Sequence, residues 1–198
     1  MTTIASLTIE ADDVDTARSF YTDALGVDAI RVRHSEAPTE GFRGFTVSLI
    51  TSQPGNATAL LDAAVAAGAR VLKPAKKSFW GFGGVVQAPD GTVVKVASSA
   101  KKDTAPVSRS HDEVVLLLGV SDMSATKDFY VDQGLTLGKS YGSKYAEFAS
   151  DGAVKLALYP RKAAAKDAGV PAEGSGSHRL VVDSTAGGFA DPDGFVWE

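Results

Sequence analysis

Hydrophobic and polar positions alternate at the start of the chain and then change to a helical spacing. Leu7 and Ile9 alternate with polar neighbours, which is typical of a strand with one buried face. Residues 12–26 begin with aspartates that can cap a helix, carry an apolar stripe at helical spacing, and end at a glycine. The pattern therefore predicts a strand followed by a helix.

The same two periods recur along the rest of the chain. Further helices are predicted after Asn56 as far as Gly68, at 122–133 and at 162–168, whereas 174–177 has the composition of a loop. Apolar runs of strand length lie between these segments. They are residues 29–33, 45–51, 69–72, 84–87, 92–97, 114–118, 137–140, 145–149, 154–159, 178–182 and 195–198. This mixture of separate helices and many strands predicts an α+β fold.

Two parts of the pattern occur twice. Residues 7–26 and 116–134 each combine a strand, a turn and a helix, and both helices contain the dipeptide Phe-Tyr. Ala-Pro-Asp-Gly at 88–91 matches Asp-Pro-Asp-Gly at 191–194, and both precede an apolar strand. A repeat at this spacing indicates two related units that differ in their middles.

The repeat divides the chain into a first domain at 1–98, a polar linker at 99–111 and a second domain at 112–198. The composition, with 44% hydrophobic and 22% charged residues, is that of a folded domain. A net charge of −4 leaves no basic surplus for nucleic acid, and the absence of cysteine excludes disulfides and cysteine nucleophiles. Without a signal peptide pattern or an apolar run of ~18 residues, we expect a cytoplasmic protein with no membrane segment.

The Phe-Tyr helices and the late Asp-Pro-Asp-Gly turn, together with the sequences at 60–75 and 156–161, resemble the vicinal oxygen chelate superfamily. This group includes glyoxalase I, bleomycin-resistance and fosfomycin-resistance proteins, and extradiol dioxygenases. The resemblance covers 4–98 and 112–198 and implies paired βαβββ modules that form cupped mixed sheets around a cavity. Since each half lacks parts that the other carries, we interpret them as two shortened tandem copies.

The resemblance also implies positions for a divalent metal, held by His, Gln or Glu on the first strand of a module and by Glu on the last. In this chain those positions are Ser6, Val115, a residue near Leu49, Lys95 and Glu198. Only Glu198 can ligate in the usual way, and the charge of Lys95 repels a cation. We therefore expect no cofactor, with a divalent metal as the open alternative.

Aromatic and charged residues supply the candidate ligand site. Aromatic rings in a cupped sheet suit a flat apolar ligand, a pair of Lys95 and Glu198 could orient a polar one, and Arg161 could clamp an anion. The same residues could instead serve core packing or carry solvated charges. The candidates are Trp80, Phe82, Lys95, Tyr159, Arg161, His178, Trp197 and Glu198. No residue is assigned a catalytic role, because no nucleophile elbow or phosphate-binding loop is present.

Three functions are compatible with these features. The leading hypothesis is a metal-independent protein that binds and sequesters a small, partly apolar molecule, as bleomycin-resistance proteins do. The second is a glyoxalase-type lyase or a dioxygenase with a reduced metal site around His178 and Glu198. The third is a structural or regulatory protein whose cavities are filled by its own side chains. A homodimer, pairing of modules between chains and a continuation beyond Glu198 stay open.

Overall fold

The computed structural model describes residues 2–198. In this part of the chain, the helices pack on a 13-stranded sheet, and two further strands form a small separate sheet. The helices are α1 (Val14–Ser19, continued by a π-helical turn at Phe20–Ala24), α2 (Pro54–Ala66), α3 (Met123–Asp132) and α4 (Arg161–Ala168). The strands are β1 (Ile4–Ala11), β2 (Ile30–His34), β3 (Thr39–Gly41), β4 (Phe45–Ile50), β5 (Arg70–Ser78), β6 (Gly81–Gln87), β7 (Val93–Ser98), β8 (Glu113–Val120), β9 (Thr136–Ser140), β10 (Ala146–Ala149), β11 (Val154–Pro160), β12 (Gly174–Gly176), β13 (Leu180–Ser184), β14 (Phe189–Ala190) and β15 (Val196–Trp197). None of the helices among these residues has the length and apolar character that crossing a membrane requires.

Two complete βαβββ units meet in the middle of the sheet. The first contains β4, α2, β5, β6 and β7, with β4 parallel to β7. The second contains β8, α3, β9, β10 and β11, with β8 parallel to β11. Their first strands, β4 and β8, pair antiparallel, so that Ser48 lies opposite Val115. The predicted fold class, an α+β arrangement of paired βαβββ modules, is confirmed.

The two ends of the chain form a reduced second pair. After α1, β2 returns parallel to β1, and near the C-terminus β15 lies parallel to β13. β1 and β13 pair antiparallel, with Thr8 opposite Val181, as β4 and β8 do in the central pair. The main path of the sheet is β14-β15-β13-β1-β11-β8-β4-β7-β6-β5, which mixes strands from both ends of the chain. The division into domains at 1–98 and 112–198 stays a prediction.

The alternation along the central strands separates a core face from a second face. Val47 and Leu49 on β4 and Leu116 on β8 are fully buried in the core beneath α1, α2 and α3. Ser48 and Val115 alternate with them and therefore point to the other side of the sheet. α4 packs on that second face, where Ala164 and Ala165 join a smaller apolar cluster.

The repeated motifs form two hydrogen bonds between a helix and a turn. The Tyr21 hydroxyl donates to Asp90 Oδ1 at 2.8 Å, and the Tyr130 hydroxyl donates to Asp191 Oδ2 at 2.7 Å. Burial raises the pKa of both phenols and also the pKa of the Asp191 carboxyl. The Phe-Tyr and Pro-Asp-Gly motifs thus fasten the fold in each copy.

One local prediction is wrong. Gly174–Gly176, predicted as a loop, forms the short strand β12, which pairs with β3. Its partner strand lies more than a hundred residues earlier in the chain, and such a pairing leaves no signal in the local composition. Backbone hydrogen bonds to that strand compensate for the weak strand preference of Gly and Ser.

Candidate functional site

α4 covers the middle of the second face. Ala164, Ala165 and Ala168 are buried on the strands beneath, and a Cβ added at Gly119 would lie 3.0 Å from the Cβ of Ala164. Only a glycine on β8 therefore allows this close approach of helix and strand. The Arg161 guanidinium fixes the start of the helix, since it donates to the carbonyl oxygens of Ala172 (3.0 Å) and Phe42 (2.7 Å). This part of the face is filled by the chain itself.

Four positions lie side by side in one row across the central strands of this face. They are Lys95 on β7, Ser48 on β4, Val115 on β8 and Lys155 on β11. The Lys95 ammonium is 2.7 Å from Asp167 Oδ2, and that of Lys155 is 2.6 Å from Glu113 Oε1. Two ammonium groups, a hydroxyl and an isopropyl group do not suit a divalent cation. Within residues 2–198, no group of three or more His, Cys, Asp or Glu is placed to hold a metal.

The five metal positions implied by the resemblance do not meet at one site. Ser6 lies in the reduced pair, where its hydroxyl donates to Asp183 Oδ2 at 2.7 Å. Glu198 follows β15 and is 3.6 Å from the Arg33 guanidinium. Leu49 faces the core, so its neighbour Ser48 occupies the row with Val115 and Lys95. The residues present therefore do not fit the metal of the superfamily.

An open cavity of about 430 Å³ lies beside the C-terminal end of α4, over β5, β6 and β7. Three of the predicted residues, Trp80, Phe82 and Lys95, line it together. Phe82 and Lys95 lie on strands, whereas Trp80 lies on the turn between β5 and β6 and is 83% exposed. The apolar part of the wall also includes Ile50, Pro74, Val85 and Ala97. The cavity thus combines an apolar wall with charged groups at its edge.

Sequence reasoning missed three charged residues of this cavity. Asp167 belongs to α4 and enters only because the helix packs across β7. Lys73 and Lys76 lie on β5 and also line the cavity. The register of β5 against β6 shifts between Val71 and Lys73 and again between Lys73 and Lys76. Simple alternation along the sequence therefore could not identify which lysines face the cavity.

Tyr159 and Arg161 lie outside the lining of this cavity. The Tyr159 ring packs edge-on against that of Tyr145, with 5.3 Å between ring centres. The Tyr145 hydroxyl donates to Glu147 Oε2 at 2.6 Å, and burial raises the pKa of both phenols. Arg161 uses its guanidinium to anchor α4, as described above. Both residues support the second face, and neither reaches the cavity wall.

His178 and Trp197 are engaged elsewhere. His178 Nδ1 lies 2.6 Å from the Arg43 carbonyl oxygen, and Nε2 lies 3.1 Å from that of Asp193. With both ring nitrogens placed against carbonyl oxygens, neither is free to bind a metal or to act as a base. Trp197 is fully buried and stacks on Phe189 with 5.1 Å between ring centres, so it belongs to the core. The geometry supplies no metal site around His178 and Glu198.

Comparison with solved structures identifies the fold. Glyoxalase I from Zea mays matches with 13% identity and a TM-score of 0.63, over 100% of this chain and 91% of that chain. A putative dioxygenase from Bacillus subtilis matches with 11% identity and a TM-score of 0.57, over 91% of this chain and 69% of that chain. No protein-family model and no curated protein matches the sequence. The chain therefore has a glyoxalase-like fold.

Proposed function

We propose that the protein binds a small, partly apolar molecule without a metal and acts by sequestering it. The observation that carries this proposal is the cavity beside α4, whose wall is apolar and whose edge holds Lys95 where the superfamily places a ligating carboxylate. Its volume, about 430 Å³, lies within the range of small-molecule sites. Chemistry that requires a metal is not part of the proposal, because the row of Lys95, Ser48, Val115 and Lys155 contains no carboxylate or imidazole ligand.

The size of the cavity sets the affinity to be expected. A ligand that buries ~200 Å² of apolar surface gains about 5 kcal/mol from burial at ~25 cal/mol per Å². Lost translational and rotational freedom opposes this gain. Contacts with the charged groups at the edge must therefore supply part of the affinity. We therefore expect a dissociation constant in the micromolar range.

A second candidate function is supported by α4. Because the helix fills the middle of the second face with Ala164, Ala165 and Ala168, a structural or regulatory protein with a self-filled site also accounts for the face. The two candidates differ in what they require of the cavity. Sequestration requires the cavity beside α4 to stay accessible to a ligand, whereas a structural role does not.

Native mass spectrometry of the purified protein tests the proposal. We expect a retained small molecule, or binding of compounds from a library of partly apolar molecules, and no stoichiometric uptake of Zn²⁺, Ni²⁺ or Mn²⁺. Ala97→Phe places a ring in the cavity and should abolish binding. Val65→Phe adds the same ring at a position that is 45% exposed on α2, and should leave binding unchanged. Equal binding by both variants, or stoichiometric metal, would contradict the proposal.

A further inference from the structure

The charges at the edge of the cavity are predominantly positive. Lys73, Lys76 and Lys95 line it together with one acidic residue, Asp167. Three ammonium groups against one carboxylate leave a local net charge of +2, although the whole chain has a net charge of −4. A cavity with this balance attracts an anion and disfavours a cation.

The contacts of these lysines show which charge is available to a ligand. The Lys95 ammonium lies 2.7 Å from Asp167 Oδ2, so these two charges compensate each other. Lys73 Nζ donates to the carbonyl oxygens of Lys166 (2.5 Å) and Asp167 (2.8 Å) at the end of α4, which keeps its charge in place beside the cavity. Among residues 2–198, Lys76 forms no ion pair and no side-chain hydrogen bond. Its ammonium is therefore the group best able to contact an anionic ligand.

The aromatic residues of the cavity define the rest of the ligand. Phe82 packs against the main core on the side of β6 opposite Val85, while Trp80 stands at the mouth of the cavity and is 83% exposed. The Trp80 ring packs edge-on against Phe79, which is itself 80% exposed, so its faces are largely open to water. Covering an exposed indole face with a flat apolar group is favourable, and the ring loses little freedom in doing so.

From these observations we propose that the ligand is an organic anion with an aromatic body, whose carboxylate or sulfonate contacts Lys76 and whose ring lies against Trp80. This inference rests on the proposed binding function and adds the chemical class of the ligand. It also excludes cationic molecules as ligands of this cavity.

The test uses two fluorescent probes with the same ring system. 8-Anilinonaphthalene-1-sulfonate carries an anionic group, and N-phenyl-1-naphthylamine lacks it. We expect the anionic probe to bind with one site per chain. Lys76→Gln should lower the affinity for the anionic probe about three- to fivefold, as loss of one exposed ion pair would. The affinity for the neutral probe should stay unchanged. Lys77→Gln is the matched control, because Lys77 is the next residue on β5 but does not line the cavity.

The outcomes separate the two proposals. Failure of both probes to bind would overturn the binding function and this inference with it. If both probes bind and Lys76→Gln does not change the ratio of the affinity for the anionic probe to that for the neutral probe, the anion assignment is overturned and the binding function stays intact. An equal effect of Lys76→Gln and Lys77→Gln would also overturn it, because the attraction would then be general to the surface. Trp80→Ala should weaken both probes, and unchanged binding of both would remove the aromatic part of the inference.

Discussion

Removal of the Tyr130 hydroxyl tests whether the repeated Phe-Tyr motif fastens the fold. Tyr130 is fully buried and its hydroxyl donates to Asp191 Oδ2 at 2.7 Å. The other oxygen, Oδ1, accepts backbone N–H groups from Asp193 (2.9 Å) and Phe195 (2.8 Å). In Tyr130→Phe, a buried carboxylate oxygen loses its donor. Hydrogen bonds to charged groups contribute about 1.5–3 kcal/mol, so we expect a loss of this size in the free energy of unfolding at pH 7.

The loss of stability in Tyr130→Phe should become smaller as the pH falls. Burial raises the pKa of Asp191, so the folded protein holds this proton more tightly, and the stability that protonation adds is lost as pH rises through the folded pKa. The Tyr130 bond opposes that shift because it favours the ionised carboxyl. Tyr130→Phe should therefore cost most at pH 7 and less at pH 4, because protonation of the carboxyl on acidification weakens the bond that is lost to about 1 kcal/mol.

Urea denaturation at pH 7 and at pH 4 measures the loss of stability and its dependence on pH. Neither pH is close to the sequence pI of about 5.4. Tyr21→Phe is the matched control in the first copy. There the Arg43 guanidinium lies 3.5 Å from Asp90 Oδ2 and compensates the charge of the carboxylate, so the loss should be smaller. A cost below about 0.5 kcal/mol for Tyr130→Phe at pH 7, or a cost that grows on acidification, would refute the reasoning.

Two further predictions concern α4 and the cavity mouth. Ala164→Leu should destabilise the protein by about 1–3 kcal/mol, because the added atoms meet the strand at Gly119, whereas Ala163→Leu on the exposed side of α4 should be nearly neutral. Similar urea midpoints for both variants would show that the helix does not pack as described. Iodide should quench Trp80 and leave Trp197 largely unquenched, since they are 83% and 0% exposed. Trp80→Phe should remove the quenchable fluorescence, and its persistence would place the exposed indole elsewhere.

The second face of the sheet is occupied both by α4 and by ion-paired lysines. In the row that crosses the central strands, Lys95 and Lys155 each form an ion pair with a carboxylate of the chain, Asp167 and Glu113. Each ammonium thus has its own compensating charge. The Lys95 pair also connects β7 to α4, which covers the same face. The ion pair of Lys95 and the packing of α4 are thus two parts of one arrangement.

Much of the fold could be predicted from the sequence alone because its signals are local. The alternation in β1 and β4, the capping aspartates and the terminal glycines depend on neighbouring residues, and the strands and helices form close to where these patterns predict them. The sequence also showed that Lys95 stands at a position where the resemblance implies a carboxylate. The repeated motifs predicted the glyoxalase-like fold, although identity to the solved structures is only 13% and 11%.

Only the tertiary structure decided which distant segments meet. It pairs β1 with β13 across most of the chain, and it brings Asp167 within 2.7 Å of Lys95, which is 72 residues earlier. It also buried Trp197 in the core and placed Lys76 at the cavity through shifts of register in β5. These outcomes depend on long-range strand pairing and on the packing of α4. A single sequence carries no local pattern for either, because each side chain is compatible with several partners until the whole sheet has formed.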